Sequence, residues 1–464
     1  MQLLLVLAIV AAVSISEYSP HQPVPDVGIR LALALLAMAA APLFAVAASS
    51  LIAGSLRRDL ARKRELLCWF SRLRGIHSVI WLVLAAIVLH QLGWVRLVRF
   101  NWRLDKVFLL DDLLIFLPIV VPLVLSWAAF YEVERCLAGS AAGDASPSLA
   151  VTRRQYVGLH VRHYLGLLLL PVLSVLAVQD LVQQVGPAIP GDLEAWLLVL
   201  PVVALLLLFP LVLRRIWRTE PLAAGELRER LLHFSKAVGF RPSELLVWRT
   251  DRLIVNAAVT GLVRPWRYVF FTDALLARFT SDEIEAVFGH EIGHVCRRHL
   301  FGRMLAITLP VALWFAFARA FPEVVQSLVE WLTASGLTWD VQAAIVGPGA
   351  LTLYASTLFA YYAKLLEYDA DLFAARSCDS NHRLSSSGSL RIAAVLEKLA
   401  CVSSMDRRSR SWLHPTIADR SDFLNRVAVD PSLGESFEKR LCVLRRVMLA
   451  SLLTAFAYLV VTSV

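Results

Sequence analysis

Long apolar stretches alternate with shorter charged segments along most of the chain. A helix that crosses a bilayer needs about 20 mainly apolar residues. By this measure we predict membrane helices at residues 29–56, 79–92, 113–131, 165–182, 196–213, 305–321, 344–363 and 443–464. The first 16 residues are also apolar, and because they lack a basic start they favour a retained opening helix over an atypical signal segment. The pattern predicts a mainly α-helical, polytopic protein with about eight or nine spans.

Two segments are polar enough to fold in water, residues 214–304 and 367–441. We expect them to form the two halves of one domain, which contains a small β-sheet. The intervening residues 305–366 then form a transmembrane hairpin. Residues 1–213 form the N-terminal membrane region, and residues 442–464 form a C-terminal membrane helix.

Composition and charge agree with a membrane protein. Hydrophobic residues make up 58% of the chain and charged residues 18%, which argues against a soluble multidomain protein and against disorder. The net charge of +9 is concentrated in places such as residues 57–78, between two apolar stretches, so it favours membrane topology over nucleic-acid binding. The six cysteines show no CxxC spacing, and we interpret them as unpaired thiols.

The distribution of basic residues predicts the orientation in the membrane. Residues 183–195 and 322–343 contain no Lys or Arg, whereas both polar segments are rich in Arg. Since loops rich in Lys and Arg stay in the cytoplasm, both polar segments are predicted to be cytoplasmic. The basic residues between Arg96 and Lys106 fit this scheme poorly.

A metal-binding pattern lies in the first polar segment. Residues Thr280–Glu283 form a helix start signal, and the HExxH sequence His290–His294 follows it. Residues four apart on a helix project from the same face, so both imidazoles can reach one metal ion. Glu291 can polarise a water molecule on that ion. His299 falls off this face if the helix continues, and we interpret it as a surface residue.

A third metal ligand is expected in the second polar segment. Catalytic zinc usually takes three protein ligands and leaves one position for water. Glu367 and Asp371 are four apart on a predicted helix. Glu367 can complete the ligand set of His290 and His294, and Asp371 can accept a hydrogen bond from the distal N–H of a ligand histidine. We therefore predict one Zn²⁺ per chain.

The sequence resembles the membrane-integrated gluzincin zinc metallopeptidases, which include the type I CAAX prenyl proteases and the HtpX-type heat-shock proteases. Four motifs carry the resemblance: Asn256-Ala257 with Gly261 (NAxxxG), His290–His294 (HExxH), Glu367–Asp371 (ExxAD), and His414–Thr416 with Arg420 (HPxxxxR). The order of the motifs and the two spans between HExxH and ExxAD are also those of the family. The resemblance covers about residues 220–425.

The resemblance implies roles for four further residues. His414 would stabilise the oxyanion that forms during peptide hydrolysis, and Arg420 would pair with acidic groups near the ligands. Asn256 and Ala257 would lie on an edge strand that binds the substrate backbone by β-augmentation. Read from the residues alone, His414 could instead cap a helix or lie in the core, and Asn256 could be purely structural.

Together these features predict a zinc-dependent integral-membrane endopeptidase that uses a metal-activated water at the cytoplasmic membrane boundary. Its partners would be membrane lipids and a peptide or membrane-protein substrate, with no nucleic acid; the oligomeric state stays open. Membrane or misfolded proteins are one substrate class, and lipidated C-terminal peptides of the CAAX type are the alternative. We favour the first, because the additional spans depart from the prenyl protease pattern and no sequence feature recognises a prenyl group.

A non-enzymatic scaffold or transporter with a vestigial metal site is the alternative from another class of protein. Such a transporter would carry charged residues within its spans to mark an ion pathway. The predicted spans contain few of these residues.

Overall fold

The computed structural model describes residues 2–59, 62–140, 151–185, 191–261, 263–336, 347–379, 384–403 and 405–463. Most of these residues are helical, as the apolar pattern predicts. Parts of the two loops without Lys or Arg, residues 186–190 and 337–346, lie outside the described residues. The described part of the chain divides into two compact units, and the second begins at Phe209.

The first unit is built from apolar helices. Its helices are α1 (Gln2–Tyr18), α2 (Val27–Arg58), α3 (Lys63–Ala86), α4 (Trp94–Arg96), α5 (Leu110–Ile115), α6 (Leu117–Ser140), α7 (Arg153–His160), α8 (Gly166–Val185) and most of α9 (Gly191–Ile216). Single π-helical turns lie at Ile87–Gln91, Leu97–Asn101 and Val161–Leu165. Its interior is mainly apolar, with Trp81 and Trp127 fully buried, and the indole N–H of Trp81 donates to the carbonyl of Ile119 at 3.0 Å.

Two features of this unit refine the sequence-based expectations. Helix α3 begins at Lys63, well before the expected start at residue 79, because Lys, Arg, Glu and Leu are all good helix formers. In the poorly fitting basic segment, Arg99 is paired with two buried carboxylates. Its Nε lies 2.7 Å from Asp111 Oδ2 and its Nη2 lies 3.2 Å from Asp112 Oδ1. Because these carboxylates neutralise its charge, Arg99 is weak evidence for which side of the membrane the segment faces.

The second unit combines a sheet with further helices. These are α10 (Glu226–Ala237), α11 (Asp273–Arg278), α12 (Ser281–Cys296), α13 (His299–Ala320), α14 (Pro322–Ala334), α15 (Gly347–Tyr354), α16 (Ala360–Ser377), α17 (Ser386–Val402), α18 (Ile417–Val429) and α19 (Ser432–Ser463). The first turn of α15 groups with the first unit. A π-helical turn, Ala355–Phe359, joins α15 to α16, and a 3₁₀ turn lies at Arg264–Trp266.

Six helices among the described residues are long and apolar enough to cross a membrane. They are Val27–Arg58, Glu65–Gln91, Leu117–Cys136, Arg153–Gln184, His299–Ala320 and Ser432–Thr462. All six overlap predicted spans, and the remaining two predictions fall on α9 and on the helices from α15 to α16. The mainly helical, polytopic fold is therefore confirmed.

The predicted small sheet is also confirmed. Within the described residues it has four strands, β1 (Thr219–Pro221), β2 (Glu244–Trp248), β3 (Ala257–Thr260) and β4 (Tyr268–Thr272), in the order β1-β2-β4-β3. Strand β4 pairs parallel with β2 and antiparallel with β3, with Ala257 opposite Phe271. Phe271 contacts Phe288 of α12, their ring centroids being 5.9 Å apart, so the sheet packs on the helix that carries the HExxH motif.

Candidate metal centre

Helix α12 presents the HExxH motif. Its start is fixed by a capping box: Thr280 Oγ1 accepts from the Glu283 amide at 3.3 Å, and Glu283 Oε2 accepts from the Thr280 amide at 2.8 Å. Because His290 and His294 are one turn apart, both imidazoles project from one face of α12. The helix ends at Cys296, and the left-handed backbone of Arg298, with φ 53°, starts α13 in a new direction.

Helix α16 carries the second half of the site and packs closely on α12. A Cβ at position 293 would lie 3.0 Å from Phe373 Cδ1 and 3.4 Å from the Cα and carbonyl oxygen of Ala370. Gly293 therefore permits a close helix–helix contact one residue before His294. This contact brings Glu367, which is 1% exposed, to the face that carries the two histidines.

Three donor atoms converge between the two helices. The Nε2 atoms of His290 and His294 are 3.4 Å apart, and each lies 3.7 Å from an oxygen of Glu367. Four-coordinate zinc with bonds of about 2.1 Å places its ligand atoms about 3.4 Å from one another. Glu367 Oε1 is buried and accepts no hydrogen bond from the described residues. A buried acceptor without a donor costs free energy, and a cation there would satisfy it, so this donor set fits zinc.

On the side of its ring opposite the three converging donor atoms, His290 is held by a carboxylate and an arginine. His290 Nδ1 lies 2.9 Å from Asp371 Oδ1. Arg420, on α18, donates to both oxygens of Asp371, from Nε at 2.8 Å and from Nη2 at 2.5 Å. Although burial acts in the opposite direction, the guanidinium of Arg420 lowers the pKa of Asp371, which therefore stays ionised and accepts the proton on His290 Nδ1.

Glu291 follows the first ligand and is half-buried. Burial raises the pKa of its carboxyl to about 7, and the nearby Glu367 acts in the same direction while His290 opposes it. A carboxyl group with a pKa near neutrality can both take up and release a proton.

His414 lies in the loop before α18, where the Thr416 side chain caps the helix. His414 Nδ1 is 2.9 Å from Glu367 Oε2, and its side chain is 55% exposed. The loop is attached by Trp412, whose indole N–H donates to the carbonyl of Ala355 in the π-helical turn at 3.0 Å. His414 thus joins the cluster through Glu367, and its role toward an oxyanion stays a prediction.

The expected substrate-binding residues lie at the edge of the sheet. Ala257 is the first residue of β3, which pairs only with β4 among the described strands, and Asn256 precedes it. The Asn256 carbonyl accepts from the Thr272 amide at 3.0 Å. Gly261 directly follows the strand with φ 106°, and a Cβ there would lie 2.2 Å from the Trp266 carbonyl oxygen, so only glycine fits. No described strand pairs with the other edge of β3.

The prediction that His299 lies on the surface was wrong. His299 is 1% exposed, and its Nδ1 lies 2.8 Å from Nδ1 of His294. The prediction assumed that α12 continues through residue 299, whereas the break at Arg298 redirects the chain. Sequence reasoning also missed Asp369, Arg303 and Arg445; Arg303 Nη2 lies 3.6 Å from Glu367 Oε1.

Comparison with known proteins identifies a matching family. Residues 221–426 match the model of peptidase family M48. The chain is 29% identical over 167 residues to a protein named Protease HtpX from Cellvibrio japonicus, covering 34% of this chain and 55% of that protein. A Protease HtpX from Psychrobacter sp. is also 29% identical, over 38% of this chain and 57% of its own length. The chain therefore spans little more than half the length of these two relatives.

Two further matches extend over more of the chain. A Protease HtpX homolog from Janthinobacterium sp. is 26% identical over 54% of this chain and 90% of its own length. A crystal structure of S. mikatae Ste24p is similar over 86% of this chain and 99% of that chain, with 15% sequence identity and a TM-score of 0.47.

Proposed function

We propose that the chain is a zinc-dependent integral-membrane endopeptidase with its active site at the cytoplasmic membrane boundary, as the match of residues 221–426 to the model of peptidase family M48 suggests. The observation that carries this proposal is the donor set of His290, His294 and Glu367, whose atoms are 3.4–3.7 Å apart and in which Glu367 Oε1 accepts no hydrogen bond from the described residues. We propose these three side chains as the ligands of one zinc ion.

The residues around the ligands suit peptide hydrolysis. A zinc ion at this position would supply Lewis acidity, which activates water and polarises the scissile carbonyl. Glu291 takes the proton of the attacking water and later gives it to the leaving amine, a role for which a pKa of about 7 is suitable. His414 stabilises the negative charge that develops on the carbonyl oxygen. The free edge of β3, with Asn256 and Ala257, binds the substrate backbone as an added strand.

Substrates of this enzyme are membrane or misfolded proteins. The helices that carry the site lead directly into apolar spans, which places it near the point where a membrane-protein chain would leave the bilayer. Lipidated C-terminal peptides are the alternative substrate, and a parallel assay distinguishes the two classes.

The test measures zinc content and cleavage for the purified full-length chain and two variants. We expect about one zinc per chain in the wild type, as a catalytic site with three protein ligands holds, and loss of zinc in Glu367→Ala. Glu291→Gln should keep zinc but lower kcat by about 10²- to 10⁴-fold, since it removes the general base. Glu226→Gln, an identical change at an exposed residue of α10, is the matched control and should cleave like the wild type.

The two substrate classes are assayed in parallel. An unfolded membrane protein represents the first class, and a farnesylated peptide represents the second. Cleavage of the first alone supports the proposed substrate, and cleavage of the peptide alone supports the alternative. A folded wild type that binds no zinc and cleaves neither would overturn the proposal in favour of a vestigial site.

A further inference from the structure

A second series of hydrogen-bonded polar side chains starts at His294 and extends from the candidate metal centre in the direction away from Asp371. His294 Nδ1 lies 2.8 Å from His299 Nδ1, and His299 Nε2 lies 2.9 Å from Asp369 Oδ2. Arg445 Nη2, on α19, donates to the same oxygen of Asp369 at 3.0 Å. We call His294, His299, Asp369 and Arg445 the His299 relay.

The direction of each hydrogen bond in the His299 relay follows from its carboxylate end. The Asp369 carboxylate only accepts, so His299 must donate to it from Nε2. With that one proton on its ring, His299 has an accepting Nδ1, and the 2.8 Å contact then requires His294 to donate from its own Nδ1. This leaves the lone pair of His294 on Nε2, the atom that lies 3.7 Å from Glu367 Oε1.

The two central residues of the His299 relay are buried, and further contacts hold the relay in place. His299 is 1% exposed and Asp369 is 2% exposed, so water does not compete for these hydrogen bonds. Arg445 also donates from Nη1 to the carbonyl of Arg297 at 3.3 Å. Glu438, which precedes Arg445 on α19 by about two helical turns, pairs with Arg297 at 2.5 Å and Arg376 at 2.8 Å. These contacts fix α19 against both helices that carry the ligands.

The same kinds of group, a carboxylate and an arginine, support both proposed ligand histidines. His290 is held by Asp371, and Asp371 is held by Arg420 on α18. For His294, Asp369 corresponds to Asp371 and Arg445 corresponds to Arg420. Here His299 lies between the carboxylate and the histidine and spans the longer distance.

We propose that His299 is a positioning residue of the metal centre: it fixes the tautomer and orientation of His294 and connects that ligand, through Asp369, to Arg445 on the C-terminal helix. This inference rests on the proposed zinc site. It also gives α19 a role in the site beyond that of a membrane helix.

The test compares zinc affinity, by competition with a chelator, among variants of the full-length chain in detergent. His299→Phe keeps a flat ring but no polar atoms, and we expect its zinc affinity to fall by about 10- to 100-fold, as for other residues that orient metal ligands. His299→Gln retains one acceptor and one donor, so it should recover most of this loss. His233→Phe, the same change at an exposed residue of α10, should bind zinc like the wild type.

A second readout separates positioning from a general structural role. With Co²⁺ in place of zinc, the visible absorption spectrum reports the ligand geometry. We expect the spectrum to change in His299→Phe and to return toward that of the wild type in His299→Gln. A residue needed only for stability would lower the unfolding temperature without altering the spectrum of the folded fraction.

If His299→Phe does not fold, Arg445→Met tests the other end of the His299 relay, where a severalfold loss of zinc affinity is expected. A wild type without zinc overturns the proposed function and this inference with it. A wild type that binds zinc, with unchanged affinity and cobalt spectrum in His299→Phe or Arg445→Met, overturns this inference alone.

Discussion

Arg420 holds the carboxylate behind His290 with two separate nitrogens. Its Nε and Nη2 each meet a different oxygen of Asp371, and Nη1 lies 3.7 Å from Glu367 Oε2. One guanidinium thus sets the position of Asp371 while lying near a proposed zinc ligand. Such a planar, two-point contact is specific to arginine, because a lysine ammonium is a single point of charge.

We therefore predict that Arg420→Lys weakens zinc binding although the positive charge is kept. One oxygen of Asp371 would lose its donor, and His290 would be held less firmly; a loss of about 10-fold in zinc affinity is expected. Chelator competition on the purified protein measures it. Arg426→Lys, the same substitution at an exposed position of α18, serves as the control. Equal zinc affinity in both variants would show that charge alone is sufficient at position 420.

Sequence spacing could predict the residues that act within one helical turn but not those that depend on the tertiary fold. His290 with His294, and Glu367 with Asp371, follow from a spacing of four residues. The contacts of Arg445 with Asp369 and of His299 with His294 depend on where α19 and α13 pack, and no local pattern encodes this. The break at Arg298 could not be predicted either, because a left-handed backbone usually occurs at glycine or asparagine and not at arginine.

At the scale of helices, the site depends on close packing around α16. Gly388, in the first turn of α17, lies against the backbone of α16. A Cβ at this position would be 2.1 Å from the carbonyl oxygen of Ala375 and 3.0 Å from its carbonyl carbon. Backbone atoms cannot rotate aside as a flexible side chain can, so α17 would have to shift away from the helix that carries Glu367.

Gly388→Ala should accordingly destabilise the protein by about 1–3 kcal/mol, as overpacking usually does. Gly75→Ala is the matched control, because Gly75 lies inside α3 and nothing is within 4 Å of its added Cβ. Alanine is favoured over glycine inside a helix by about 1 kcal/mol, so this control should leave stability unchanged or slightly raised. Thermal unfolding of both variants in the same detergent checks the pair. If Gly388→Ala unfolds at the temperature of the wild type, the α16–α17 contact is looser than described.

The spans were predictable because a bilayer imposes one simple requirement of length and apolarity. Their ends were harder to predict. Helix α3 extends through a strongly basic segment, since charged residues with long side chains favour a helix even where the apolar pattern stops. The hydrophobic pattern predicted the sheet only as small, and the expectation that Asn256 and Ala257 lie on an edge strand came from the family resemblance. The full strand order depends on pairing between segments distant in sequence.

For the whole molecule, the geometry of the site restricts the topology in the membrane. His294 and Glu367 are 3.7 Å apart, yet α13 and the helices from α15 to α16 lie between them in sequence. The chain must therefore return to the side from which α13 departs. Because Arg445 contacts Asp369, the first turns of α19 lie on that side as well. These contacts place both polar segments on the same side of the membrane, and a contact within the protein is the same for either orientation.

The arginine content of the polar segments supplies the orientation, and we predict that both face the cytoplasm. Cys401 is exposed on α17, within the second polar segment, and Ser335 is exposed just after α14, beyond the expected outer end of α13. In a chain that keeps only Cys401, a membrane-impermeant maleimide should label inside-out vesicles but not right-side-out vesicles. Ser335→Cys in a cysteine-free chain should give the opposite pattern, and detergent should expose both positions. Labelling of Cys401 from the outside would reverse the orientation and move the proposed active site to the outer surface, while leaving its internal geometry as described.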